Sequence, residues 1–152
     1  MITATTPNAP DHEGLGPKDS RFVEVYEMPW EETRFPGIVE KTLLVDKKSG
    51  LVTALLKMDP GARLPDHEHV LIEQTFVIEG ALVCGEGTCS AGNFVWRPAG
   101  SRHSAGAPNG GLMLAVFQVP NRFFDAAGGV SDMLSQDWEE TWGQATSLAG
   151  LE

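Results

Sequence analysis

Short apolar runs, each cut off by glycine or proline, recur through most of this 152-residue chain, and that punctuation restricts its fold. The breaks fall at Asp46-Lys47-Lys48-Ser49-Gly50, Pro60-Gly61, Gly80, Gly85-Glu86-Gly87, Gly92, Pro98-Ala99-Gly100 and Pro108-Asn109-Gly110. Most of the intervals between them are too short for helices of about ten residues and suit strands of about four to eight. The spacing predicts strands over Phe22–Tyr26, Val39–Val45, Leu51–Met58, Thr75–Ile78, Ala81–Cys84, Phe94–Trp96 and Gly111–Val119. The polar turn ending in Gly50 marks a hairpin between the second and third. With 17 Gly and 10 Pro in all, the pattern is that of an all-β sandwich or small barrel.

The two ends depart from this pattern. Residues 1–20 are polar, Pro/Gly-punctuated and aperiodic, and read as a flexible tail ahead of a barrel over residues 21–124. Residues 125–152 read as a helical extension. Val130, Met133, Leu134, Trp138 and Trp142 recur at spacings of mostly three and four, with Ser131-Asp132 as a start signal and Gly143 weakening the end. The two tryptophans on that stripe are expected to pack rather than to contact a cofactor.

Charge narrows the function classes. Acidic residues outnumber basic ones by 21 to 11, a net charge of −10, which repels phosphate backbones and anionic lipid. No nucleic-acid or membrane partner is expected. The first residues carry no signal-peptide pattern, and Leu112–Phe117 is far shorter than the ~20 residues of a membrane span. Two cysteines, Cys84 and Cys89, are too few for a disulfide framework. They flank the Gly85–Thr88 turn, so a cross-hairpin disulfide or metal pair is the alternative, but free thiols in a cytoplasmic protein are the expectation.

Three of the four histidines lie in two Gly/Pro-framed segments. On an extended chain His67 and His69 share a face, with Cα atoms ~7 Å apart, close enough to converge on one ion. On a helix the same spacing would splay the rings by ~200°. Glu73 joins them only if the chain folds back across Val70-Leu71-Ile72, since a straight strand would leave it ~13 Å from His69. His103, 34 residues beyond His69, joins only through a closed sheet. His12 sits in the polar tail and is assigned no role.

Gly61-x5-His67-x-His69-x3-Glu73-x6-Gly80 resembles the first cupin motif at each defined position. Gly92-x5-Pro98-x-Gly100-x2-His103 resembles the second motif as far as its histidine, but Ala107 stands where Asn is common. Leu43-x2-Asp46, Gly50-x2-Thr53-x-Leu55 and Met58-x-Pro60-Gly61-Ala62 make the chain similar to small ChrR-like cupins and acetylacetone-cleaving dioxygenases.

The resemblance implies a cupin jelly-roll barrel with a short C-terminal helix. It also implies one divalent metal held by His67, His69, His103 and Glu73. A set of imidazoles with one carboxylate independently suits Fe(II), Zn(II), Mn(II), Ni(II) or Co(II) over Mg(II) or Ca(II). By analogy, Fe(II) is favoured and the activity is a dioxygenase acting on a small diketone or hydroxyketone. The alternatives are a redox-silent cupin (isomerase, decarboxylase or lyase) with Glu73 as base, and a ligand-binding or sensory module. An anti-sigma role is not expected, because in the family it resides in a separate helical N-terminal domain. Phe76, Trp96 and Met113, with Ile78 and Phe117, are candidates to line a substrate pocket, although ordinary core packing is the preferred reading for them. Phe22–Tyr26, a strand without an evident hairpin partner, points with the family's habit to a homodimer.

Overall fold

The computed structural model describes residues 2–148. Eleven strands are described: β1 (Glu31–Glu32), β2 (Ile38–Val45), β3 (Val52–Met58), β4 (Ala62–Glu68), β5 (Glu73–Cys84), β6 (Gly87–Ser90), β7 (Phe94–Arg97), β8 (Arg102–Ala107), β9 (Gly111–Phe117), β10 (Arg122–Phe124) and β11 (Val130–Ser131). One α-helix, α1 (Trp138–Leu148), follows them. All strand pairings are antiparallel, and β5 joins the two halves of a curled barrel. Its first part pairs with β7 and β9, continuing to β3, β2 and β1; its last part pairs with β6 and β8, continuing to β4, β10 and β11. The fold is the all-β jelly roll with one short C-terminal helix.

Strand alternation decides what lies inside. Glu73, Thr75 and Val77 of β5 and Met113, Ala115 and Phe117 of β9 point inward and are buried. Ile38, Leu56, Met58, Leu64 and Phe123 complete the core between the half-sheets. Residues of the other parity, Phe76 and Ile78 on β5 and Phe94 and Trp96 on β7, stand on the outer face, 43–57% exposed.

Several expectations need correction. Thr75–Ile78 and Ala81–Cys84 belong to one strand, because Gly80 does not break the ladder. It has φ +71°, and a Cβ there would collide with the Gly110 carbonyl oxygen, so glycine is required where β5 and β9 approach most closely. The expected strand Phe22–Tyr26 does not form: Val25–Glu27 is a single 3₁₀ turn, with Phe22 80% and Tyr26 96% exposed. The N-terminal segment, expected as a flexible tail, is anchored. Thr5 exchanges both backbone hydrogen bonds with Val45, and the Thr6 hydroxyl donates to the Leu43 carbonyl.

The helix starts later than its apolar period suggested. Val130–Ser131 is a strand, and the Asp132 carboxylate holds the next turn by accepting from the Leu134 and Gln136 amides. Asp137 then caps α1 by accepting from the Glu140 amide. The helix runs through Gly143, since Trp138, Trp142 and Ala145 bury against Val119, and that packing outweighs the weak propensity of one glycine. Both tryptophans are packed in this cluster, and Trp142 also lines a cavity.

Candidate functional site

The β4–β8 ladder places His67 directly opposite His103. His69 follows β4, tied into the same sheet by its amide to the Ser101 carbonyl and its carbonyl to the Gly100 amide. The chain then bends through Val70–Ile72, whose Val70 and Leu71 pack toward the tryptophan cluster, and returns as β5 at Glu73. Three apolar residues make this turn because its outer side is covered.

The three imidazoles stack around a common point, with ring centroids 4.7–4.9 Å apart. His69 Nε2 lies 2.9 Å from His103 Nε2. Each histidine offers a ring nitrogen within 4.8 Å of the other two, a group able to hold a metal ion. His67 and His69 are each 1% exposed. Burial holds the His67 pKa below the ordinary range and pulls His103 down to about 4, with Arg97 and the neighbouring rings adding to the effect. Neutral imidazole is the form that binds metal, so the lowered pKa values of His67 and His103 and the convergence of the three rings fit a divalent transition ion.

The backs of the rings differ. His67 Nδ1 is hydrogen-bonded to the Pro65 carbonyl at 2.8 Å. His69 Nδ1 lies 2.9 Å from Glu73 Oε2. Glu73 is thus behind His69, outside the group of three converging nitrogens, and it also accepts from Thr75 Oγ1 at 2.8 Å and Asn121 Nδ2 at 3.1 Å. Burial alone would raise its pKa, but His69, Asn121 and Thr75 outweigh that and hold it at about 2.

A cavity of about 420 Å³ lies on the far side of Phe123 from this centre; the Phe123 ring is 5.0 Å from that of His67, and none of the three histidines lines the cavity. Phe117, Phe123, Val52, Met133 and Trp142 give it apolar walls, and Glu40 and Asn121 are polar groups in them. Asn121 Oδ1 is buried without a partner. Glu40, 6% exposed, has its pKa raised to about 7 by burial, with Glu31 and Asp132 adding to the rise and the Thr42 hydroxyl opposing it.

Glu40 was not legible as a site residue, since in β2 it reads as one of three adjacent polar positions, Glu40, Lys41 and Thr42. Of the residues expected to line a pocket, Phe117 does so, Met113 is core, and Phe76 and Trp96 do not reach the cavity. Parity explains this: Phe76 is one residue out of step with inward Thr75, and Trp96 with inward Arg97. The cysteines are both free, because the hairpin register sets Cys84 against Gly87 and Cys89 against Leu82.

A jelly roll with histidines from two facing motifs at one end defines a cupin. The chain belongs to the ChrR cupin-like domain family, whose model matches residues 18–122. It is similar in structure to an acetylacetone dioxygenase from Acinetobacter johnsonii (TM-score 0.69, 20% identity, 88% of this chain and 95% of that one). It is also similar to a candidate acetylacetone dioxygenase from Methylibium petroleiphilum PM1 (TM-score 0.68, 21% identity, 88% and 96%). A third similar structure is the anti-sigma ChrR of Rhodobacter sphaeroides in complex with SigE (TM-score 0.54, 23% identity, 61% and 51%). A comparison with curated proteins finds no match. Among the described residues, no helix is long and apolar enough to cross a membrane.

Proposed function

We propose that the protein is a mononuclear metal-dependent cupin enzyme, an Fe(II) dioxygenase acting on a small diketone or hydroxyketone. The observation that carries this reading is the convergence of three imidazoles, two buried and one half-buried, on one point. His67, His69 and His103 would hold the ion, and Glu73, the expected fourth ligand, is assigned as a positioning residue that fixes the His69 ring from behind. When bound, the ion would supply a Lewis acid and a redox centre for dioxygen. The chain's own contribution is to favour the neutral form of His67 and His103 by burial, and the cavity across Phe123 from them would take an apolar body with a few polar groups. The acetylacetone-dioxygenase neighbours are consistent with such a substrate. The redox-silent alternative requires Glu73 as a free base, whereas here three partners engage its carboxylate.

Metal analysis of natively purified protein, followed by oxygen-uptake assays after Fe(II) loading with a panel of small β-diketones, tests the reading. The expected result is about one iron per chain and substrate-dependent oxygen uptake. Native zinc or manganese with no oxygen uptake for any diketone would overturn it.

The homodimer is retained as a proposal on different grounds, since the strand first expected to mediate it does not form. Phe76, Ile78, Phe94 and Trp96 make an apolar outer face, continued by Leu112, Leu114 and Leu55 and bounded by Lys57 and Glu79. Such a face offers on the order of 500 Å² per copy, near the low end of what stable pairing buries. A second copy presents the same apolar residues, so pairing would cover them on both chains. Light scattering at micromolar concentration should give twice 16.4 kDa, and Trp96→Glu should give the monomer. A monomeric parent chain would refute the pairing.

A further inference from the structure

We propose that Cys84, Glu86 and His103 form a second ion position, selective for a thiophilic divalent ion such as Zn(II), that competes with the three-histidine centre for His103. The topology places the three groups together. In the β5–β8 ladder Cys84 pairs with Ala105, and His103 lies two residues from Ala105 on the same face, so Cys84 and His103 are diagonal neighbours. The β5–β6 hairpin turns immediately afterwards, with Cys84 paired to Gly87, and brings Glu86 over the same end of the barrel. The thiol sulfur, a carboxylate oxygen and a ring nitrogen all lie within 4.8 Å of one another. Donors around a tetrahedral zinc stand roughly 3.3–3.8 Å apart, so closure requires a shift of about 1 Å. Glu86, exposed on a two-residue turn, is free to make it.

His103 is the ring most available for a second use. His67 is fixed from behind by the Pro65 carbonyl and His69 lies against Glu73, whereas His103 Nδ1 is buried without a partner. The two positions also differ in access. His67 and His69 are each 1% exposed, while Cys84 and His103 are half-buried and Glu86 is exposed, so an ion reaches the second position from solvent.

The donor sets give opposite preferences. An all-imidazole centre accepts many transition ions, whereas thiolate with imidazole and carboxylate favours zinc. Arg97, with Nη1 3.4 Å from Cys84 Sγ, is a cation beside this position and keeps its affinity modest. Binding displaces the thiol proton of Cys84 to the buffer and involves no redox change. Because one imidazole serves both positions, filling the second lowers affinity at the first, and a thiophilic ion would act as an antagonist of the centre.

Co(II) titrated into the metal-free full chain tests this, because thiolate ligation to Co(II) gives a near-ultraviolet charge-transfer band that imidazole ligation does not. The band should appear in the parent chain and persist in the His67→Ala/His69→Ala double variant. It should vanish in Cys84→Ser, weaken several-fold in Glu86→Gln, and be bleached by Zn(II). No band in the parent chain overturns the proposal. So does loss of the band in a double variant that is folded by circular dichroism, since Cys84 would then be ligating the central ion. Should the double variant not fold, His69→Ala replaces it, read by Zn(II) protection of Cys84 from alkylation, located by mass spectrometry. Protection of about tenfold is expected, and an unprotected Cys84 overturns the proposal. None of these outcomes depends on the dioxygenase reading.

Discussion

Two glutamates, each no more than 9% exposed, sit in the same barrel and have pKa values shifted in opposite directions. Glu73 has a ring nitrogen, an amide and a hydroxyl around its carboxylate and is held ionised, with a pKa of about 2. Glu40, on the cavity wall, has one hydroxyl partner and two acidic neighbours, and its pKa rises to about 7. Burial is common to both, so burial does not decide the charge; the number and sign of the partners does. The histidine end is consequently a preorganised polar cluster, and the cavity is an apolar space with one carboxyl near its titration point.

The strongest way to break this contrast is to remove the histidine cluster's ligands. His67→Ala and His69→Ala should each reduce bound metal from near one per chain to a small fraction, measured by elemental analysis after native purification. Full occupancy in both would show that the cluster holds no ion. Glu73→Ala comes next. It strands His69, Thr75 and Asn121 in a buried space and should cost about 3–5 kcal/mol of stability in urea unfolding of metal-free protein. A loss below about 1 kcal/mol would mean that Glu73 is not the anchor described above.

Glu40→Gln should do the opposite. The folded state holds Glu40's proton up to about pH 7, while the unfolded chain releases it near 4.5. Between those values the folded state binds the extra proton, so the parent chain loses stability as pH rises through the window. The glutamine variant escapes that loss. It should be more stable than the parent by about 1–3 kcal/mol at pH 8.5, and the advantage should shrink towards pH 4.5. An equal gain at both pH values would sever it from titration.

The smallest effect is on the acid side. His103 keeps its folded pKa at about 4, against 6.5 for the free group, so the unfolded chain binds more protons in that interval. Metal-free protein should therefore lose stability as pH falls from about 6.5 to about 4. Glu40 opposes this slope over most of the same range, so the histidine contribution is best read in the Glu40→Gln background. A flat profile there would mean that burial does not hold His103 neutral in the folded state.

The paired motifs made the histidine positions legible, because a period of two puts His67 and His69 on one face whatever the rest of the chain does. The fold-back at Val70–Ile72 could be stated as a condition for Glu73, but not its outcome. From spacing, a carboxylate beside a ligand and a carboxylate behind one look the same. Phe22–Tyr26 read as a strand because apolar residues cluster there, yet a strand requires a partner edge, which sequence does not display. The apolar positions of β5 and β7 were visible, but which parity faces inward depends on the sheet they join, and that placed Phe76 and Trp96 outside.

Sequence by itself determined the local quantities: where the chain breaks, which short segments extend, and which imidazoles share a face. These follow from the few dihedral states open to Gly and Pro and from the two-residue period of a strand. Tertiary structure alone decided what depends on distant residues meeting. It brought His103 opposite His67 and Asn121 onto Glu73. It also walled Glu40 into a cavity with too few donors to offset its burial. Closing the sheet sets those distances, and no local period encodes them.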